Sequence, residues 1–110
     1  MHCVVGLCLY RFNPADQSGQ TPLHSAALYG NEEVCRLIIE NVQIKNPVRR
    51  GGWTPLHSAA NEGHLEVCRL IIGNVQNKNP ANKDGDTPLD LDARRGHKKL
   101  LWLFGLQWKL

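Results

Sequence analysis

The 110-residue sequence lacks the features that mark several common functional classes. No apolar run approaches the roughly 20 residues that a membrane-spanning helix requires, and we therefore expect a soluble protein. The apolar opening, Met1–Tyr10, has neither the basic start nor the small-residue cleavage site of a secretory signal peptide. The sequence also contains no glycine-rich phosphate loop and no Cys or His cluster with the spacing of metal ligands. These absences argue against a membrane protein, a nucleotide-binding enzyme and a zinc protein.

The charge of the chain does not decide the class of its partner. Thirteen Lys and Arg residues stand against ten Asp and Glu residues, giving a net charge of +3. A dedicated nucleic-acid binder has a denser basic cluster than this. Nucleic-acid binding remains the alternative function, and it would depend on the basic residues Arg49-Arg50, Lys83, Arg94-Arg95 and Lys98-Lys99.

One segment of the sequence recurs with a constant period. Thr-Pro-Leu-His-Ser-Ala-Ala begins at Thr21 and again at Thr54, and a weaker copy, Thr-Pro-Leu-Asp-Leu-Asp-Ala, begins at Thr87. Successive starts are 33 residues apart, an interval typical of repeat architectures. The stretches 21–47 and 54–80 differ only at the aligned pairs Leu28/Asn61, Tyr29/Glu62, Asn31/His64, Glu32/Leu65, Glu40/Gly73 and Ile44/Asn77.

Local signals predict a pair of helices in each copy. Thr21 and Thr54 suit a helix N-cap, and the proline after each suits the first helical position. The first helix is expected to end at a glycine that adopts the left-handed conformation, namely Gly30, Gly63 and Gly96. The second helix is predicted from about Glu32 to Asn41 and from about Leu65 to Asn74. Helical spacing predicts that each second helix buries one face, formed by Val34, Leu37 and Ile38 or by Val67, Leu70 and Ile71.

The 33-residue period, the Thr-Pro-Leu-His-x-Ala-Ala motif, the following Gly and the later Val-Cys-x-Leu-Ile-Ile together resemble the ankyrin repeat. This resemblance implies an all-α solenoid of stacked helix-turn-helix pairs joined by hairpin loops. It predicts one domain over residues 1–110, divided into a partial N-terminal repeat helix (1–12) and three repeats (13–45, 46–78 and 79–110). It also implies a non-catalytic scaffold whose partner is another protein.

Several residues depart from the family pattern. Asn41-Val42 and Asn74-Val75 replace the usual Gly-Ala after the second helix, which predicts helices up to one turn longer. In the third repeat Asp92 replaces an alanine, so we expect either a loosened end of the stack or a carboxylate that faces solvent. The stretch from Leu100 to Trp108 is apolar on nearly all sides. It fits a piece of a longer array, an end that docks on a partner or on itself, or a tolerated terminal helix.

Candidate chemical groups are better explained by structure than by catalysis. The resemblance implies that His24 and His57 hydrogen-bond to a neighbouring hairpin, and we expect neither an enzyme activity nor a cofactor. Cys35 and Cys68 occupy equivalent repeat positions and are interpreted as reduced, buried thiols of a cytoplasmic or nuclear protein. The resemblance leaves open whether an asparaginyl hydroxylase modifies Asn46 or Asn79.

Ankyrin proteins usually bind partners through the hairpin tips and the exposed side of the first helices, which line a concave groove. The matching positions, called the groove surface below, are Gln17, Ser18, Gln20, Leu28, Tyr29, Arg50, Trp53, Asn61, Glu62, Lys83, Asp84, Asp86, Arg94 and Arg95. Aromatic residues and Arg dominate binding hot spots. We therefore expect Trp53 and Tyr29 to anchor a partner and Arg49-Arg50 to select an acidic segment.

Overall fold

A computed structural model describes residues 14–42, 44–97, 100 and 103. This part of the chain contains five α-helices, α1 (Pro22–Tyr29), α2 (Glu32–Asn41), α3 (Pro55–Asn61), α4 (Leu65–Ile72) and α5 (Pro88–Arg94), with a 3-10 turn at Arg50–Gly52. None of these helices is long and apolar enough to cross a bilayer. The predictions for residues 1–12 lie outside the described residues, as does the apolar stretch from Leu100 to Trp108 apart from Leu100 and Leu103.

The first helix of each pair begins in the predicted way. In α1 the Thr21 side chain accepts from the backbone N–H of His24, while the His24 ring accepts from the backbone N–H of Thr21. Thr54 with His57, and Thr87 with Asp90, form the same reciprocal capping box. Because the proline at the first helical position has no N–H, the capping box satisfies two of the three free N–H groups at each helix start.

The second helices are not extended, although the replacement of Gly-Ala by Asn-Val predicted that they would be up to one turn longer. α2 has its predicted bounds, but α4 stops at Ile72 instead of Asn74, so the expectation of longer helices was wrong. A lysine that follows each helix, six residues after Ile39 or Ile72, explains this end. Lys45 Nζ donates to the carbonyls of Ile39 (2.8 Å) and Val42 (2.6 Å), and Lys78 Nζ donates equivalently to Ile72 and Val75 (2.8 Å each). The ammonium groups thus donate hydrogen bonds to carbonyls at the helix end, the role that the backbone N–H groups of a glycine cap have in other helices.

The helices stack in two layers. α1, α3 and α5 pack side by side in one layer, α2 packs against α4 in the other, and each pair also packs internally. Leu23, Leu56, Ile39 and Ile72 are among the side chains buried in the shared core. Neighbouring repeats therefore bury each other's apolar surface, as solenoids require.

The predicted buried face of α2 is only partly buried. Val67 is 1% exposed in α4, whereas the equivalent Val34 in α2 is 39% exposed and Leu37 is 56% exposed. Val67 is covered because α4 packs on α2. Within the described residues no second helix precedes α2, so Val34 and Leu37 have no equivalent neighbour, and the prediction that they are buried was wrong.

Asp92 follows neither expected outcome. It is 3% exposed, and its Oδ2 accepts from the backbone N–H of Leu100 at 3.1 Å. Leu100 and Leu103 are themselves buried in the core. The carboxylate thus replaces alanine packing with a hydrogen bond that holds the chain after α5 against the stack.

The two described cysteines are free and buried. Burial raises the pKa of the Cys35 thiol to about 11 and that of the Cys68 thiol to about 12, with a smaller contribution from Asp92 at Cys68. Both thiols are therefore protonated near neutral pH and poor nucleophiles.

Candidate functional site

The candidate site is built on three hairpins that share one closing hydrogen bond. Asp16 N donates to Gln20 O at 2.9 Å, and the equivalent pairs Arg49–Trp53 and Asn82–Asp86 form the same bond at 2.9 and 2.8 Å. In the first hairpin the carboxylate of Asp16 also accepts hydrogen bonds from the hydroxyl and the backbone N–H of Ser18. These bonds, the hydroxyl bond first, lower the pKa of Asp16. The closing hydrogen bonds define the shape of each tip.

The second hairpin has a different interior. Arg49 cannot accept hydrogen bonds as Asp16 and Asn82 do, and its guanidinium instead lies 5.1 Å from the centroid of the Trp53 ring. The tip follows through Gly51 and Gly52, whose φ angles of 84° and 80° favour glycine. Arg49 and Trp53 are thus held together at the base of this tip.

Histidines bind each first helix to the next hairpin, as the resemblance implied. The Nε2–H of His24 donates to the carbonyl of Trp53 at 3.0 Å, and that of His57 donates to the carbonyl of Asp86 at 2.9 Å. Since Nδ1 accepts from the N-cap threonine, both rings are neutral Nε2–H tautomers. Burial lowers the pKa of both rings, partly offset by the carbonyl hydrogen bond. The two histidines are engaged in the scaffold.

A second row of histidines was missed by sequence reasoning. The Nε2–H of His64 donates to the carbonyl of Leu28 at 3.0 Å, and that of His97 donates to the carbonyl of Asn61 at 3.3 Å. The His64 ring lies against Gly30, and the His97 ring lies against Gly63. The contacts are so close that a Cβ added at either glycine would come within 3 Å of the ring. The signal was present in the sequence, since His64 and His97 are one 33-residue period apart.

The predicted aromatic anchors differ in accessibility. Tyr29, at the end of α1, is 78% exposed, and Leu28 beside it is half-buried. Trp53 is half-buried, with Arg49 over its ring and the His57 ring 5.4 Å away at an interplanar angle of 51°. Tyr29 therefore offers a free side chain, whereas Trp53 presents only part of its ring.

The charged groups of the groove surface are also unequal. Arg94 pairs with Asp86 at 2.9 Å, and this contact lowers the pKa of Asp86 and raises that of Arg94. Arg50, Lys83 and Arg95 are exposed and form no ion pair within the described residues.

The remaining groove-surface residues form a polar rim. Gln17, Glu62 and Asp84 are exposed, whereas Ser18, Gln20 and Asn61 are half-buried and donate to Asp16, Ser25 and Glu62 respectively. The hairpin positions are brought together by Arg50 N, which donates to Ser18 O, and by Lys83 N, which donates to Gly51 O. Among the described residues no three His, Cys, Asp or Glu side chains are grouped as metal ligands.

Comparisons with known proteins agree with this architecture. A family model described as ankyrin repeats in three copies matches residues 2–81 and residues 43–106. Over 33 residues the chain is 48% identical to protein phosphatase 1 regulatory subunit 12A of Mus musculus and of Rattus norvegicus. Each of these matches covers 30% of this chain and only 3% of the relative. The family model spans most of the sequence, and the first helices of the pairs begin 33 residues apart, at Pro22, Pro55 and Pro88. The chain therefore belongs to the ankyrin-repeat family.

Proposed function

We propose that this chain is a non-catalytic module that binds another protein through the groove surface. The observation that carries the proposal is Tyr29, which is 78% exposed at the end of α1 and lies beside the half-buried Leu28. Tyrosine is one of the residue types enriched in binding hot spots, and an exposed tyrosine beside a partly buried leucine has surface that a partner can cover. Ankyrin repeats generally mediate contacts between proteins.

Differences between the two near-identical repeats support the same surface. Leu28 and Tyr29 become Asn61 and Glu62 one period later, although the buried motif around them is unchanged. A constant interior fixes the scaffold, while the variable helix ends give each repeat its own contact chemistry. The phosphatase relatives are named as regulatory subunits, which fits a role in binding for this chain.

Nucleic-acid binding has weaker support. Arg94, one of the basic residues on which it depended, already pairs with Asp86. Lys98 and Lys99 lie outside the described residues. The exposed carboxylates of Glu62 and Asp84 interrupt the groove surface and would repel a phosphate backbone. We place the module in the cytoplasm or nucleus, where its free buried thiols would stay reduced.

The sequence supplies its own test variants. Leu28→Asn with Tyr29→Glu gives the end of α1 the residues Asn61 and Glu62 that occupy the equivalent positions of the next repeat. Ile44→Asn is the matched control, because Asn77 occupies the equivalent position. Ile44 is 70% exposed and lines a crevice that contains no groove-surface residue.

Affinity capture with the wild-type chain and both variants, followed by mass spectrometry, compares the two surfaces. We expect at least one protein to be captured by the wild type and the Ile44→Asn control but lost from the Leu28→Asn/Tyr29→Glu variant. The loss should exceed tenfold, because a hot-spot side chain contributes about 2 kcal/mol or more. Identical profiles for all three proteins, with unchanged circular dichroism, would contradict the proposal.

A further inference from the structure

Three cationic residues lie on the second and third hairpins. Arg50 and Lys83 are exposed, and the backbone N–H of Lys83 donates to the carbonyl of Gly51 at 2.9 Å, which sets the two tips side by side. Arg49 lies next to Arg50 with its guanidinium over Trp53. We call Arg49, Arg50 and Lys83 the basic tip cluster.

The cluster is distinguished by its lack of internal partners. Elsewhere in the described residues, Arg36, Arg69 and Arg94 each pair with a carboxylate, and Lys45 and Lys78 donate to the ends of the second helices. Within the same residues no carboxylate lies within ion-pair distance of Arg49, Arg50 or Lys83. Within the described residues, the cations without a carboxylate or carbonyl partner are therefore the basic tip cluster and Arg95.

We propose that the basic tip cluster binds an acidic segment, rich in Asp or Glu, of the protein partner. This inference rests on the proposed function and specifies the chemistry of what is bound. An arginine can hold a carboxylate with two parallel N–H donors. Stacking on Trp53 holds the Arg49 guanidinium in one place before binding, so less side-chain freedom is lost when a carboxylate arrives.

An acidic peptide fits this surface better than a nucleic acid does. Asp84 follows Lys83 directly at the third tip, and Glu62 is exposed at the end of α3. A phosphate backbone carries charge at every step and would meet these carboxylates. A peptide can place its carboxylates at the cluster and other side chains elsewhere, including an apolar side chain near Tyr29.

The test uses defined probes on the full chain. A labelled hexaglutamate peptide is titrated by fluorescence anisotropy, with hexaglutamine as the uncharged probe and hexathymidylate as a nucleic acid of similar charge. Arg50→Gln/Lys83→Gln is compared with Arg36→Gln/Arg69→Gln, a control that removes the same two charges from the second helices. Thermal melts of both variants verify folding.

We expect hexaglutamate to bind more tightly than either other probe and to show an affinity that falls as salt is added. The Arg50→Gln/Lys83→Gln variant should weaken this binding about fivefold, and the control less than twofold. Equal weakening by both variants would show a general charge effect and overturn the inference. Tighter binding of hexathymidylate, or no preference for hexaglutamate over hexaglutamine, would overturn it as well. The proposed function is tested separately by affinity capture. If the Leu28→Asn/Tyr29→Glu variant still fails to capture a protein that the wild type captures, the proposed function stands even when the acidic-segment inference fails.

Discussion

Replacement of Lys78 by methionine tests the most unusual feature of the scaffold, the lysine that ends each second helix. Lys78 is half-buried, and its Nζ lies 2.8 Å from two backbone carbonyls, that of Ile72 at the end of α4 and that of Val75 after it. Methionine keeps most of the aliphatic side chain but removes the ammonium group. The substitution therefore isolates the hydrogen bonds from the packing of the stem.

The magnitude follows from three opposing contributions. Hydrogen bonds to a charged group contribute about 1.5–3 kcal/mol each, so two give about 3–6 kcal/mol. Ordering a lysine side chain costs up to about 2 kcal/mol, which the substitution returns. Gly73 and Asn74 at the helix end are exposed, so water replaces part of the lost bonds. We expect Lys78→Met to lower the free energy of unfolding by about 2 kcal/mol and the melting temperature by about 8 °C.

Urea denaturation followed by circular dichroism measures the change. Lys83→Met is the control, because Lys83 is exposed and has no ion pair within the described residues, and it should change stability by less than about 0.5 kcal/mol. Lys45→Met repeats the experiment one period earlier and should give a similar loss. Equal stability of the Lys78→Met and Lys83→Met proteins would refute a role for the ammonium group in ending the helix.

Two further predictions concern contacts between repeats. Gly52 and Gly85 have φ angles of 80° and 83°, but only at Gly52 would a Cβ meet the next hairpin, 2.8 Å from its backbone, whereas nothing described lies within 4 Å at Gly85. Gly85→Ala should lower the free energy of unfolding by about 1 kcal/mol, the cost of the left-handed backbone alone, and Gly52→Ala should lower it by at least about 1 kcal/mol more. Urea denaturation measures both values, and equal losses would argue against close stacking of the hairpins. The pKa of His24 and of His57 is lowered by burial, so the unfolded chain takes up more protons and stability should fall as pH decreases through about 6.5 towards the folded pKa. Urea midpoints between pH 7.5 and 5.5 measure this fall, which should be smaller in the His57→Gln variant, and an equal slope in both proteins would count against the assignment.

The repeat register predicted most of the fold because its signals are local. Each Thr-Pro pair of this sequence begins a helix, and a glycine with positive φ follows the end of α1 and of α3, so these helices needed no tertiary information. The end of α4 was misjudged because its cap is supplied by Lys78, six residues beyond the helix. The burial of Asp92 was misjudged for the same reason, since its partner is the backbone of Leu100.

The candidate site could be located by register, but its electrostatics could not. The equivalent residues Lys45 and Lys78, which serve the scaffold, are identical. The equivalent residues Gln17, Arg50 and Lys83, which are exposed on the hairpins, all differ. Variation marks a surface but does not say which charges on it remain available.

A charged side chain is available to a partner only if it is not already paired within the protein, for example between a helix and the hairpin before it. Arg94 and Arg50 are both groove-surface residues, yet Arg94 reaches back eight residues to Asp86, while Arg50 has no ion pair within the described residues. Trp53, expected to anchor a partner, is half-buried against Arg49 and His57. The binding centre proposed for this chain therefore moves from the Trp53 ring to Tyr29 and the basic tip cluster. In that arrangement Trp53 holds an arginine in place, and the arginine is the group offered to the partner.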